Sequence, residues 1–314
     1  MKKSVFTTLL VFFVLLAKGQ ESETAYNFLR LPVSAHAAAL GGDNISLTED
    51  DASLLFHNPA LANFVSDKTL NLNYMTYMEG AKTASAAFVK GIKERASWGV
   101  TGQYMDYGKM KQTTYDNTEI GEFGARDVCI GGSFAYALTD RISGGITAKF
   151  INSNIADYTS TAVGVDLGLT YTDSLGDLSI SAVAKNLGGM IDAYEEEFEK
   201  LPFDLQVGVT KRLPNAPFRF SLTLTRLTDW KESFGRHVAI GADILLSQNI
   251  YVAAGYNFRR AHQMKITDEE GASGHGAGLS LGAGIALERF KLHLGYAKYH
   301  MSANSLLINV SYAL

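Results

Sequence analysis

Few side chains in this sequence are spaced for chemistry, and those few point away from catalysis. The seven histidines show no ligand-like spacing: His57 lies in an N-terminal segment, and His262 and His275 lie in or beside a loop. The single cysteine, Cys129, excludes an intramolecular disulfide framework and a Cys-rich zinc site. Nothing near it in sequence lowers its pKa, so it reads as a packed small side chain rather than a reactive thiol. Gly274-His275-Gly276-Ala277-Gly278 has the look of a glycine-rich loop. It enters a strand rather than a helix, however, and lacks the βαβ setting of a nucleotide site. No serine, cysteine or carboxylate pair is placed for catalysis. The expectation is a protein that is not an enzyme and holds no metal and no cofactor. One charge run stands out, Asp192-Ala193-Tyr194-Glu195-Glu196-Glu197-Phe198-Glu199-Lys200. Such a run is most simply a solvated helical face. On a surface loop it also sets aromatics beside charge, a combination suited to a protein contact. Tyr194, Glu195, Glu196, Glu197 and Phe198 are therefore the candidate partner-binding loop.

The elements that must position these residues are strands. Of 314 residues, 30 are glycine and only 5 proline, with 11% aromatic. The net charge of −4 is too small a bias to point to nucleic acid. Lys2 and Lys3 precede an apolar run from Val5 to Ala17 and then Ala17-Lys18-Gly19, which reads as a signal peptide over 1–19. Beyond it no run of roughly 18 apolar residues could cross a membrane as a helix. From residue 69 the sequence alternates with period 2, as in Phe218-Arg219-Phe220-Ser221-Leu222-Thr223-Leu224-Thr225. The pattern divides into about fourteen segments of the length a tilted membrane-crossing strand needs. Tight turns such as Thr139-Asp140 and Glu288-Arg289 alternate with longer stretches at 109–125, 189–202, 229–235 and 261–274. Short turns at one rim and longer loops at the other predict an all-β, antiparallel transmembrane barrel over 69–314, with both ends on the periplasmic side. No proline falls inside a proposed strand, where it would remove a ladder hydrogen bond. Tyrosines and tryptophans near strand ends fit interfacial girdles in outer-membrane lipid.

The inward face is unusually small, with Gly131, Ser133, Ala135, Gly145, Gly255, Gly282 and Gly284, so something bulky is expected to pack inside. The filling is expected from 20–68, which is Ala-rich, apolar and not alternating: short helices and turns forming a hatch. Asp50 or Asp51 would cap a helix starting near Ala52, and Asn58-Pro59 would end it.

These residues resemble a known family. Phe28-Leu29-Arg30-Leu31-Pro32, the run Ala37-Ala38-Ala39-Leu40-Gly41-Gly42, the acidic pair Asp50-Asp51, and Asn58-Pro59-Ala60 look like the PorV/PorQ family of the Bacteroidetes type IX secretion system. That family lies within the wider FadL-like barrels, many of which read Asn-Pro-Ala-Gly where this chain has Leu61 after Ala60. In length the chain is nearer PorQ-like members. The resemblance implies a fourteen-stranded outer-membrane barrel with an N-terminal plug, in which Asp50, Asp51, Asn58, Pro59 and Ala60 form the hatch motif. It also implies a place in the attachment complex, anchoring a PorZ-like surface protein beside PorU- and PorV-like components and supporting display of secreted cargo. The alternative it leaves open is a FadL-like channel that passes hydrophobic molecules through an opening in its wall. Such a channel should show an apolar lumen pocket and a strand kink.

Overall fold

The computed structural model describes residues 24–314 apart from 79, 117, 174, 195, 196, 230, 265, 269, 270, 274, 275, 301 and 302. The expected signal peptide, Glu195, Glu196 and His275 lie outside the described residues. Alternation becomes strand throughout: β1 (Thr69–Thr76), β2 (Lys82–Ile92), β3 (Ala96–Thr113), β4 (Glu119–Ala137), β5 (Ile142–Ile155), β6 (Tyr158–Asp173) and β7 (Leu178–Asp192). The second half supplies β8 (Asp204–Arg212), β9 (Phe218–Leu224), β10 (Val238–Leu245), β11 (Ile250–Asn257), β12 (Leu279–Ala286), β13 (Phe290–His300) and β14 (Ala303–Ala313). Each strand pairs antiparallel with the next, and β14 returns to β1 in the register Thr69↔Ala313 to Met75↔Leu307. The fourteen-stranded sheet is thereby closed, and closure leaves no unpaired edge, the condition for a sheet to cross lipid.

The two faces sort as the alternation requires. Along β9, Phe218, Phe220 and Leu222 point outward and are exposed, whereas Ser221 and Thr223 point into the lumen and are buried. Leu72, Val100, Ile130, Phe134, Ile146, Phe150 and Leu281 continue the outward apolar belt, with Tyr74, Tyr104, Tyr136, Tyr296 and Tyr312 also outward. So wide a band of exposed aliphatic and aromatic side chains is the surface that a bilayer covers.

The largest departure from expectation at the rims is at one turn. The stretch 109–125, expected as a long loop, instead extends the β3–β4 pair beyond the belt, with only 114–118 left as the turn. Lys109 pairs with Glu122 at 3.0 Å across this ribbon, and Lys111 pairs with Glu119. Both faces there meet water, so no hydrophobic period marked it as strand. A short helix, α1 (Ala35–Ala39), lies in the lumen; at the same rim as the ribbon a second, α2 (Phe258–Gln263), ends β11, and 266–268 and 271–273 form a small separate hairpin. The opposite rim carries only short turns.

Residues 24–68 fill the lumen. Short 3-10 turns at Asn27–Arg30, Ala52–Phe56 and Pro59–Phe64 flank α1. Its first described residue, Thr24, bridges Lys200 of the surface loop 193–203, and the segment leaves at the opposite rim, where Lys68 meets Leu314. Phe28 and Leu29 pack with Met105, Cys129, Ile151 and Leu201, so Cys129 is buried among apolar neighbours.

Candidate functional site

The hatch is held first by its caps. Asp51 accepts from Ser53 N at 2.9 Å and from Ser53 Oγ at 2.6 Å, which starts the turn at Ala52. Asp50 does not cap; it accepts from Ser66 N at 2.6 Å and pairs with Lys291, tying the hatch's exit to the wall. Asn58-Pro59 does more than end a helix. Asn58 Oδ1 accepts from Ala60 N at 3.0 Å, capping the next turn, and Pro59 sits in its first position, where a missing N–H costs nothing. Asn58 Nδ2 donates to Ile45 O at 2.8 Å and to Thr170 Oγ1 on β6 at 2.9 Å, while Ala60 O accepts from Ser143 on β5.

The wall glycines make this docking possible. A Cβ on Gly145 would lie 2.4 Å from Ala60 N, and one on Gly168 would lie 2.1 Å from Asn58 Oδ1. Around α1 the same holds: a Cβ on Gly255 would lie 2.3 Å from Gly41 N and one on Gly282 would lie 2.5 Å from Ala39 Cβ. Gly131 and Gly284 differ from that expectation, because they face wall side chains (Thr101, and Tyr251 with His293) rather than the hatch.

The inward face is also less uniformly small than the glycines imply, since it carries a buried ionic network. His36 of α1 meets Glu49 Oε2 through Nδ1 at 2.8 Å and Asp243 Oδ1 through Nε2 at 2.7 Å. Arg219 closes the ring, with Nη1 2.6 Å from Glu49 Oε1 and Nε 2.7 Å from Asp243 Oδ2. The His36 ring stacks on Tyr251 at 3.7 Å, and Tyr251 shares a hydrogen bond of 2.9 Å with His293. Burial opposes a charge on His36, but the Glu49 and Asp243 carboxylates outweigh it and raise its pKa to about 9. Burial likewise opposes the Glu49 carboxylate, and the charges of Arg219 and His36 hold it well below the usual range. His57 is different: burial pushes it well down, and its Nε2 accepts from Ser34 N at 3.3 Å. The sequence reading missed His36. The available signal was the pair of charged residues, Arg219 and Asp243, at inward positions of otherwise small-sided strands.

A second ionic group marks a bulge in β7. Register shifts between Val165 and Leu167 of β6, and four successive residues, 183–186, turn inward or are buried. Asn186 takes a left-handed conformation, with its N–H on Asp166 Oδ1 at 2.7 Å and its Oδ1 accepting from Lys149 Nζ at 2.9 Å. Lys149 also pairs with Asp166 at 2.6 Å.

Of the candidate partner-binding loop, the structure brings Tyr194 inward, where its hydroxyl donates to Ser153 beside Asp127. Glu197 and Phe198 stay exposed, Phe198 by 65%. No helix forms among the described residues of 193–203. Among the described residues no group of three or more His, Cys, Asp or Glu side chains could hold a metal ion.

Above α1 the hatch and wall separate around a cavity of about 320 Å³ beneath the surface loops, with Arg30, Asp43, Lys185, Asp204, Arg226 and Arg260 among its lining.

A closed fourteen-stranded barrel threaded by an N-terminal hatch is the FadL-like architecture. Toluene transporters of Ralstonia pickettii and Pseudomonas putida each share 14% identity with this chain at a TM-score of 0.58, over 90% of this chain and 98% of theirs. A Pseudomonas aeruginosa FadL homologue matches at 11% identity and a TM-score of 0.57, over 89% of this chain and 98% of that one. At these identities the likeness is one of fold. No protein-family model matches the chain, and no curated protein matches it.

Proposed function

We propose that the chain is exported on the segment 1–19 to the outer membrane, where it serves as an anchored platform rather than a conduit. The role is that of the attachment-complex barrel of type IX secretion: it holds a PorZ-like surface protein, works beside PorU- and PorV-like components, and performs no reaction itself. The observation that supports a platform is how firmly the hatch is fixed to the wall. Hatch backbone lies in glycine notches of β5 and β11 and hatch side chains in those of β6 and β12, and an ionic ring fixes α1 to β9 and β10. The placement in that secretion system rests on the hatch motif's resemblance. Among the described residues of the loop, Glu197 and Phe198 are the exposed ones offered to that partner.

The fold comparison favours a second reading, a FadL-like channel for hydrophobic small molecules, because the similar structures are of toluene transporters and a monoaromatic hydrocarbon channel. The β7 bulge supplies the strand irregularity such a channel needs. The lumen chemistry of this chain weighs the other way: Lys149, Asp166 and Asn186 occupy the bulge, and the cavity above α1 is lined by guanidinium groups. Deleting the gene separates the two readings. Loss of sorted proteins from the cell surface with unchanged toluene uptake is expected. Normal surface display with failed uptake would overturn the platform in favour of the channel.

A further inference from the structure

The cavity above α1 has a chemistry that neither reading requires. Five cationic side chains line it (Arg30, Lys185, Arg226, Arg259 and Arg260) against two carboxylates, Asp43 and Asp204. The crowding is felt by its members. Burial and then the charge of Arg226 lower Arg30 to about 10, and burial and then Arg259 lower Arg226.

Several donors in this cavity are buried and unpartnered: Arg30 Nε and Nη1, Arg259 Nη1, Arg260 Nη1 and Tyr299 Oη. Arg259 is 5% exposed and Arg260 6%. Each is held from one side. Arg260 Nε donates to Ala277 O at 2.7 Å and its Nη2 to Gly278 O at 2.9 Å, with the guanidinium 4.7 Å above the Tyr299 ring. Arg259 Nη2 pairs with Asp229 at 3.2 Å. What each leaves free is one N–H-bearing nitrogen. Gly42, at φ +101°, keeps a notch beside two of these donors: a Cβ there would lie 3.2 Å from Tyr299 Oη and 3.4 Å from Arg260 Nη1. Buried donors without acceptors are costly, and an anion that supplies the acceptors recovers that cost.

We propose that this cavity binds a phosphate monoester, whose oxygens accept from Arg30, Arg259, Arg260 and the Tyr299 hydroxyl. With Asp229 already paired to Arg259, the cationic excess is two charges, which a dianion matches and a single carboxylate only halves. Three terminal oxygens also serve more of the divergent free donors than two can, and guanidinium groups suit phosphate geometry. The assignment stands apart from the choice between platform and channel. The monoester has two possible sources, a soluble phosphate ester or the phosphorylated headgroup of a lipid reaching over the rim.

Calorimetric titration of the purified barrel in neutral detergent, at constant ionic strength, tests this with three probes: glucose 6-phosphate, dihexanoyl phosphatidate and acetate. Saturable binding of at least one phosphate probe is expected, and which one saturates identifies the source. Arg30→Gln is expected to weaken that binding roughly 10- to 100-fold and Tyr299→Phe roughly 3- to 10-fold, the spans for a charged and a neutral hydrogen bond. Both variants should keep the wild-type shift in gel mobility on heating. The site is refuted if neither phosphate probe saturates, if acetate binds as tightly, or if both folded variants bind like the wild type.

Discussion

At the level of α1, His36, Glu49, Arg219 and Asp243 each have opposite charges within 2.8 Å, whereas at the rim Arg30, Arg226 and Arg259 crowd one another, and Arg30, Arg259 and Arg260 leave nitrogens without acceptors. Both layers bury charge against the same wall with the same small-residue hatch. The four charges of the deep layer pair among themselves, so they serve to fix the plug. The rim layer is incomplete, so its charges are available to something from outside. Charge complementarity thus divides the lumen into a structural floor and a receptive upper chamber.

The largest test of that division is Asp243→Asn. It leaves the His36 imidazolium and the Arg219 guanidinium with Glu49 alone, and removing one partner of a buried ion pair costs about 3–5 kcal/mol. The hatch should become sensitive to protease in detergent while the barrel keeps its heat-modifiable mobility; an unchanged cleavage rate would deny the floor its role. Gly255→Ala comes next. Its new Cβ meets Gly41 and Leu40 backbone, and overpacking of this kind costs about 1–3 kcal/mol. Faster hydrogen exchange of the amides of 35–42 is the measurement.

A subtler change follows from pH. Against the pull of burial, Glu49 and Asp243 raise His36 to about 9 from its ordinary 6.5. The folded value is the higher one, so this stabilisation is complete below about pH 6.5 and is lost as pH rises through about 9. Hatch protease resistance should therefore fall between neutral pH and pH 9–10, and His36→Gln should remove that dependence. The smallest effect belongs to the rim: Arg30→Gln removes a crowded charge and should change the unfolding temperature little, within about ±0.5 kcal/mol of stability or slightly upward. A large loss there would mean that the upper chamber, too, is structural.

The wall was legible because lipid on one side and a packed hatch on the other impose period 2 on nearly every strand. Where that constraint lapses, as in Lys109-Met110-Lys111-Gln112-Thr113, the strand continued but its pattern did not. The hatch showed itself through lost alternation, and Asp51 and Asn58 through local capping chemistry that needs only two or three residues of context. The ionic ring was not legible: His36 and Asp243 stand 207 positions apart, and only the closed register brings them together. Arg259 and Arg260 fall where β11 yields to α2, a change that the sequence reading placed after residue 260.

The bridge between Thr24 and Lys200 places the first described residue of the plug beside a surface loop, and Lys68 leaves at the other rim. The chain is therefore threaded like a cord through a ring, with backbone seated in notches too narrow for it to slide past. The β1–β14 seam pairs the strand that follows the plug with the last strand, so the ring is closed at the point where the thread leaves it.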